Sequence, residues 1–138
     1  MKRVAVIDGQ GGGIGSLVIK RLREEFGETI EIVALGTNAS ATMAMMKSRA
    51  NKGATGENAI VWNASRVDCI IGPLSVVLSN AMLGEMSPKM AVAISSSPAR
   101  KLLLPLNQEG VEVVGSVREP LPHLIDRLVA QLKEESDV

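Results

Sequence analysis

Val4-Ala5-Val6-Ile7-Asp8-Gly9-Gln10-Gly11-Gly12-Gly13-Ile14-Gly15 is the stretch that decides the fold. Its first four residues are apolar and rich in valine and isoleucine, which reads as a buried strand. Five glycines then fall between Gly9 and Gly15. Beyond them Ile14, Leu17, Val18, Leu22 and Phe26 recur at helical spacing. A strand, a glycine loop and a helix in that order form a βα turn suited to a phosphate or another anion. Glycine allows φ > 0 and a close approach of backbone N–H groups, and the helix N-terminus adds its dipole and its unpaired donors. The alternative is a turn that only lets strand and helix pack tightly, for which fewer glycines suffice.

Outward from this turn, strands and helices alternate. Gly27 and Glu28 end the first helix, and Thr29 to Leu35 is a second strand. Gly36-Thr37-Asn38 closes it and can cap an Ala- and Met-rich helix from about Ala39 to Arg49. Asn51 to Thr55 reads as a short strand, and Gly56-Glu57-Asn58 opens a short helix through Ser65. Val67 to Ile71 is a compact buried strand ended by Gly72-Pro73, whereas Leu74 to Glu85 has no clear period. Ser87-Pro88 is an N-cap followed by proline at the first helical position, starting a helix to about Ser95. Lys101 to Leu106 and Val111 to Val114 read as two further strands. In the last helix Leu121, Leu124, Ile125, Leu128, Val129 and Leu132 make one apolar stripe, and Glu134 to Val138 is a frayed end. The alternation predicts one domain over residues 1–138, a three-layer α/β/α sandwich. Its sheet is mostly parallel and doubly wound, with about five or six strands.

The totals narrow the function. Fifteen basic and fifteen acidic residues cancel, so no global field draws in nucleic acid or an anionic membrane. The chain is 46% hydrophobic with Phe26 and Trp62 as its aromatics, so Val, Ile, Leu, Ala and Met must build the core. One cysteine forms no internal disulfide. Met1-Lys2-Arg3 and the short apolar run behind it make no signal peptide, and no stretch is long enough to span a membrane. A soluble cytoplasmic protein is expected. Met43, Met45, Met46, Met82, Met86 and Met90 are either irregular core filling or part of a self-association face, and the apolar stretch Ser75 to Leu83 points to a homodimer.

In open α/β sheets, ligands bind outside the carboxyl ends of the strands. Those ends are Asp8 to Gly15, Gly36-Thr37-Asn38, Gly53 to Asn58, Gly72-Pro73-Leu74-Ser75 and Pro105-Leu106-Asn107. The expected site holds the phosphates of NAD(P) or another nucleotide over Gly9, Gln10, Gly11, Gly12, Gly13, Ile14 and Gly15. Thr37, Asn38, Gly72 and Pro73 stand beside this loop. Asn38 is placed to bond a ribose hydroxyl or simply to cap its helix. Asp8 either holds the loop by accepting backbone N–H bonds or shares a divalent cation with a phosphate. As acids or bases the candidates are Asp8, Glu57 and His123. For Glu57 the structural alternative is an acid favoured by the helix dipole, and for His123 it is a cap or surface group. Cys69, inside a strand, reads as a core thiol. No His/Cys cluster has metal-ligand spacing, and no G-x-S-x-G elbow occurs. Three functions fit: a nucleotide-binding protein, a small enzyme acting on a phosphorylated metabolite, and a non-catalytic regulatory or assembly module.

Two resemblances add to this reading. Gly9, Gly13 and Gly15, with Ile14, give G-x-x-x-G-x-G, which resembles the glycine motif of short-chain dehydrogenases. Ser16 stands where a strict G-x-G-x-x-G would need glycine after Gly11 and Gly13. Catalysis in that family needs a tyrosine, and this chain has none, so the resemblance implies dinucleotide binding without that chemistry. Over nearly the full length, the chain resembles a small uncharacterised bacterial family catalogued only as a domain of unknown function. The motifs are Asp8 to Gly15, Leu35-Gly36-Thr37-Asn38-Ala39, Gly53 to Ala59, Met82-Leu83-Gly84-Glu85, Leu104-Pro105-Leu106-Asn107 and Glu119-Pro120-Leu121-Pro122-His123. That resemblance implies a Rossmann-like fold and a bacterial cytoplasmic setting, and it carries over no catalytic residue.

Overall fold

Strands β1 (Lys2–Asp8), β2 (Ile30–Gly36), β3 (Lys52–Thr55), β4 (Cys69–Pro73) and β5 (Arg100–Leu104) form one sheet in the order β3-β2-β1-β4-β5, every neighbouring pair parallel. Helices α1 (Gly13–Phe26), α2 (Ala39–Lys47), α3 (Glu57–Ala64), α4 (Pro88–Ser95) and α5 (Leu121–Ser136) connect and cover them. This computed structural model describes residues 2–106, 110–116 and 118–136. Asn107, the last residue of one expected strand end, lies outside these, as do Met1, Asp137 and Val138.

The layers follow from strand periodicity. Side chains of β1 alternate between faces, so Val4 and Val6 join one core and Ala5 and Ile7 the other. The first core takes Val18, Ile19, Leu22 and Phe26 from α1, Ala41 and Met45 from α2, and Ile125, Leu128, Val129 and Leu132 from α5. The second takes Ile60 and Ala64 from α3 and Met90, Ala91 and Ile94 from α4. The expected doubly wound three-layer sandwich is the observed one. Met45, Met86 and Met90 fill the core, whereas Met43 and Met46 face outward from α2. Helices α1 and α5 run parallel, tied by Arg21 to Asp126 and by Glu25 to Lys133, each at 2.8 Å.

At the edge where the strands begin, one buried cation joins four segments. Arg23, near the end of α1, donates to the carbonyls of Gly27 and Arg49 at 2.8 Å and of Ile30 at 3.2 Å. It also reaches Asn51 Oδ1 at 2.6 Å, and that same oxygen accepts from the Ile32 N–H at 2.7 Å.

The expected strand at Val111 to Val114 is not there. Val111 makes a single bridge, and the chain then turns at Val114 and Gly115. Gly110 and Gly115 both have positive φ, which breaks an extended run too short to have a period of its own. Val113 and Val114 are left exposed. Among the described residues no helix is long and apolar enough to cross a membrane.

Candidate functional site

The strand order reverses between β1 and β4, because α1 carries the chain from β1 toward β2 while α4 carries it from β4 toward β5. In sheets of this order the reversal marks the crevice above the ends of β1 and β4 where ligands bind. The glycine loop lies on its floor.

Asp8 ends β1 and is 4% exposed. Its Oδ1 accepts from the Gly9 N–H at 2.8 Å and its Oδ2 from the Gly15 N–H at 2.7 Å. The carboxylate therefore clamps both ends of the loop and sits beneath the positive end of α1, the loop-holding role of the two considered for it. Gly12 has φ 74, and a Cβ there would lie 2.8 Å from the Cα and carbonyl oxygen of Ala41 in α2. A Cβ on Gly15 would meet Met45 and Asp8. Packing accounts for both glycines. Gly11 and Gly13 differ: both are exposed, neither has a left-handed φ, and a Cβ on either meets nothing within 4 Å. Among the described residues no acceptor meets their N–H groups.

The end of β2 lies against the loop. Thr37 donates its N–H to the Asp8 carbonyl at 3.0 Å. Asn38 caps α2, its Oδ1 accepting from the Ala41 N–H at 2.9 Å, which turns its amide nitrogen toward the Gln10 carbonyl at 3.0 Å. Gly72 and Pro73 close β4 alongside Leu103 and Leu104 of β5. A Cβ on Gly72 would come within 2.6 Å of the Ile7 carbonyl oxygen, so glycine lets β4 approach β1.

Sequence reasoning missed Glu85. Its Oε1 accepts three bonds: from the Gln10 N–H at 2.8 Å, the Thr37 hydroxyl at 2.6 Å and the Asn38 amide at 2.9 Å. The loop that delivers it runs from a 3-10 turn at Leu74–Val77 through Asn80, Met82 and Leu83, all with positive φ. Met82 lies over the glycine loop, where its sulfur would be 2.5 Å from a Cβ on Gly9. The sequence signals were an acid following glycine in an apolar stretch without a period and its place in the motif Met82-Leu83-Gly84-Glu85.

Neither of the other acid–base candidates has a hydrogen bond to the glycine loop among the described residues. Glu57 is exposed at the start of α3 and accepts from the hydroxyl of Ser87, the N-cap of α4. His123 is exposed on the first turn of α5 and acts electrostatically on Glu119. Cys69 is buried, which pushes its thiol up to about 11, as suits an inert core residue. Among the described residues no three His, Cys, Asp or Glu side chains gather as a metal site.

The family model described as a domain of unknown function (DUF3842) matches residues 3–137. The chain belongs to the DUF3842 family. No curated protein matches the DUF3842 chain by sequence. Among solved structures it is similar to the dodecameric FMN-dependent Ubix-like decarboxylase from Escherichia coli O157:H7, at 14% identity and a TM-score of 0.45. That match covers 100% of the DUF3842 chain and 95% of the decarboxylase chain. What the DUF3842 chain binds is therefore read from its own crevice.

The two crevice carboxylates respond to pH with opposite sign. Burial raises the Asp8 carboxyl above its ordinary value, although the Gly15, Gly9 and Ile14 N–H groups pull it down and the charge of Glu85 adds to the rise. Glu85 is lowered, first by the Thr37 hydroxyl, then by the Gln10 N–H against a burial penalty, with Asn38 adding. A carboxylate lowered by folding stabilises the fold fully above its ordinary value of 4.5 and stops doing so as pH falls through its folded value. Asp8 works the other way, its proton being held more tightly in the folded chain. As acidification goes below 4.5 and through the lowered Glu85 value, the Gln10 amide is therefore expected to lose hydrogen-exchange protection while β1 keeps it. Exchange corrected for intrinsic rates checks this; equal protection of Gln10 and β1 throughout the titration contradicts the assigned sign.

Proposed function

We propose that the DUF3842 chain binds a nucleotide or dinucleotide, NAD(P) among the candidates, across the crevice between β1 and β4. The phosphates lie on the Gly9–Gly15 loop. One observation carries this reading: Gly11 and Gly13 have neither a crowded Cβ position nor a left-handed backbone to require glycine. Bare, exposed backbone at the N-terminus of α1, with two N–H groups lacking an acceptor among the described residues, is what a phosphate oxygen needs for close approach. Asp8 spends its charge on N–H groups below the loop, which leaves the upper donors to the ligand. Asn38 and Thr37 stand at the end of β2, where a ribose lies in dinucleotide-binding sheets.

The test is a thermal-shift panel of NAD, NADP, ATP, GTP, S-adenosylmethionine and sugar phosphates, with and without magnesium, on the protein and on Gly13→Asp. A ligand at about 100 times its dissociation constant should add roughly 2.7 kcal/mol. The aspartate enters open space at the first helical position, where it favours the dipole by about 0.3–1 kcal/mol, so the variant should melt no lower than the parent. Its carboxylate repels a phosphate, so binding should weaken by at least about tenfold, some 1.4 kcal/mol. Undiminished binding in Gly13→Asp, or no shift across the panel, rejects the glycine loop as the phosphate site.

A further inference from the structure

We infer that the Gln10 N–H, the Thr37 hydroxyl and the Asn38 amide form a seat for a ligand's oxyanion, a carboxylate or phosphate oxygen. Glu85 is its internal occupant, displaced when the ligand enters. The inference rests on the crevice being a ligand site, and it does not require the ligand to be a nucleotide.

Three donors from two strand ends converge on one carboxylate oxygen, at 2.6 to 2.9 Å. Each is held in place without Glu85. Asn38 is oriented by capping α2 and by its bond to the Gln10 carbonyl. Thr37 is anchored through its N–H on Asp8, and the Gly12 N–H closes the loop onto the Gly9 carbonyl at 2.9 Å. The seat thus outlasts its occupant.

The occupant arrives on a costly segment. Met82 and Leu83 have φ of 59 and 56, in the left-handed region that residues other than glycine and asparagine avoid. Leu83, between Met82 on the glycine loop and Glu85 in the seat, is 97% exposed. The segment is braced by its own backbone bonds, Asn80 N–H to Met86 and Gly84 N–H to Asn80 among them, and buried Met86 anchors it, so the Glu85 side chain can swing out of the seat while the turn that carries it stays. Charge permits the exchange as well. The seat already carries one negative charge beside Asp8, and an incoming carboxylate or singly charged phosphate replaces that charge rather than adding to it. The bound form then has Glu85 in solvent and the ligand's oxygen on the same three donors. An occupied seat reduces the apparent affinity by the fraction of molecules in which it is free.

The experiment titrates inorganic phosphate and, separately, acetate into the protein, Glu85→Ala and Glu85→Gln. It follows the Gln10 amide and Asn38 side-chain amide resonances. Glu85→Ala should bind at least one of the two anions about tenfold more tightly or better, with both resonances moving. The anion that gains more identifies phosphate or carboxylate as the group the seat prefers. Adding Thr37→Val to Glu85→Ala should cancel the gain. Glu85→Gln, of the same shape but uncharged, should show a smaller gain and guards against misfolding of the alanine variant. Anion affinity unchanged in both Glu85 variants overturns the inference. So does weaker binding of a nucleotide in Glu85→Ala, which would show Glu85 gripping the ligand's hydroxyls. Failure of every nucleotide, with the phosphate or acetate gain intact, rejects the nucleotide reading and leaves the seat standing.

Discussion

Arg23→Met is expected to remove about 3–5 kcal/mol of stability. Methionine can follow the apolar stem of arginine, so little packing is lost. What is lost is the planar set of donors that satisfies the carbonyls of Gly27, Ile30 and Arg49 together with Asn51 Oδ1. Those acceptors lie in the turn after α1, in β2 and in the link into β3, so one side chain of α1 ties all three to that helix. A buried acceptor deprived of its donor costs about 1–3 kcal/mol, and partial access to water keeps the total near the stated range. In a domain of this size that corresponds to a fall in Tm of roughly 10 °C or more. Urea unfolding with an unchanged m-value measures it. Arg23→Lys, with one ammonium for four acceptors, should fall between the two. A loss under about 1 kcal/mol would mean that water replaces the guanidinium at no great cost.

Gly12→Ala is the second large effect, expected at about 3 kcal/mol. Two costs combine. The left-handed backbone at φ 74 penalises any Cβ by about 1–2 kcal/mol, and the new carbon would sit 2.8 Å from the backbone of Ala41. Backbone cannot rotate aside as a side chain can, so the start of α2 must shift. The shift carries Asn38 with it, because Asn38 caps that helix. Any ligand binding that uses Asn38 should therefore decline along with stability. Gly13→Ala is the matched control: its Cβ meets nothing within 4 Å, and alanine in a helix costs less than glycine. Calorimetry of the pair should show Gly12→Ala melting well below the parent and Gly13→Ala at or above it. Equal Tm values for the two would contradict the packing of the loop against α2.

The sheet was legible because β1 carries two signals at once. Its four buried apolar residues have side chains for both faces, and a glycine turn follows directly. Caps were equally legible: Asn38 and Ser87 sit at the helix starts where their side chains suggested. β4 begins two residues after Val67, whose apolar side chain reads as strand, because the Asp68 carboxylate accepts from the Arg3 N–H at 2.8 Å. The glycines could be counted but not sorted. Only contacts with α2 and Asp8 separate those that packing demands from those it does not. Glu85 was hidden for a different reason. It meets a loop 75 residues earlier, and it is delivered through left-handed residues that leave no periodic trace in the sequence.

The parallel pairing of α1 with α5 bears on how the chain is made. Val18, Leu22 and Phe26 leave a ribosome about a hundred residues before Ile125, Leu128, Val129 and Leu132, which share their core. Until then a nascent chain presents an unshielded aliphatic surface, the kind of exposure that leads to aggregation or chaperone capture. Burial of that surface thus waits for α5, and a chain cut before α5 would carry a sticky apolar face rather than a smaller domain.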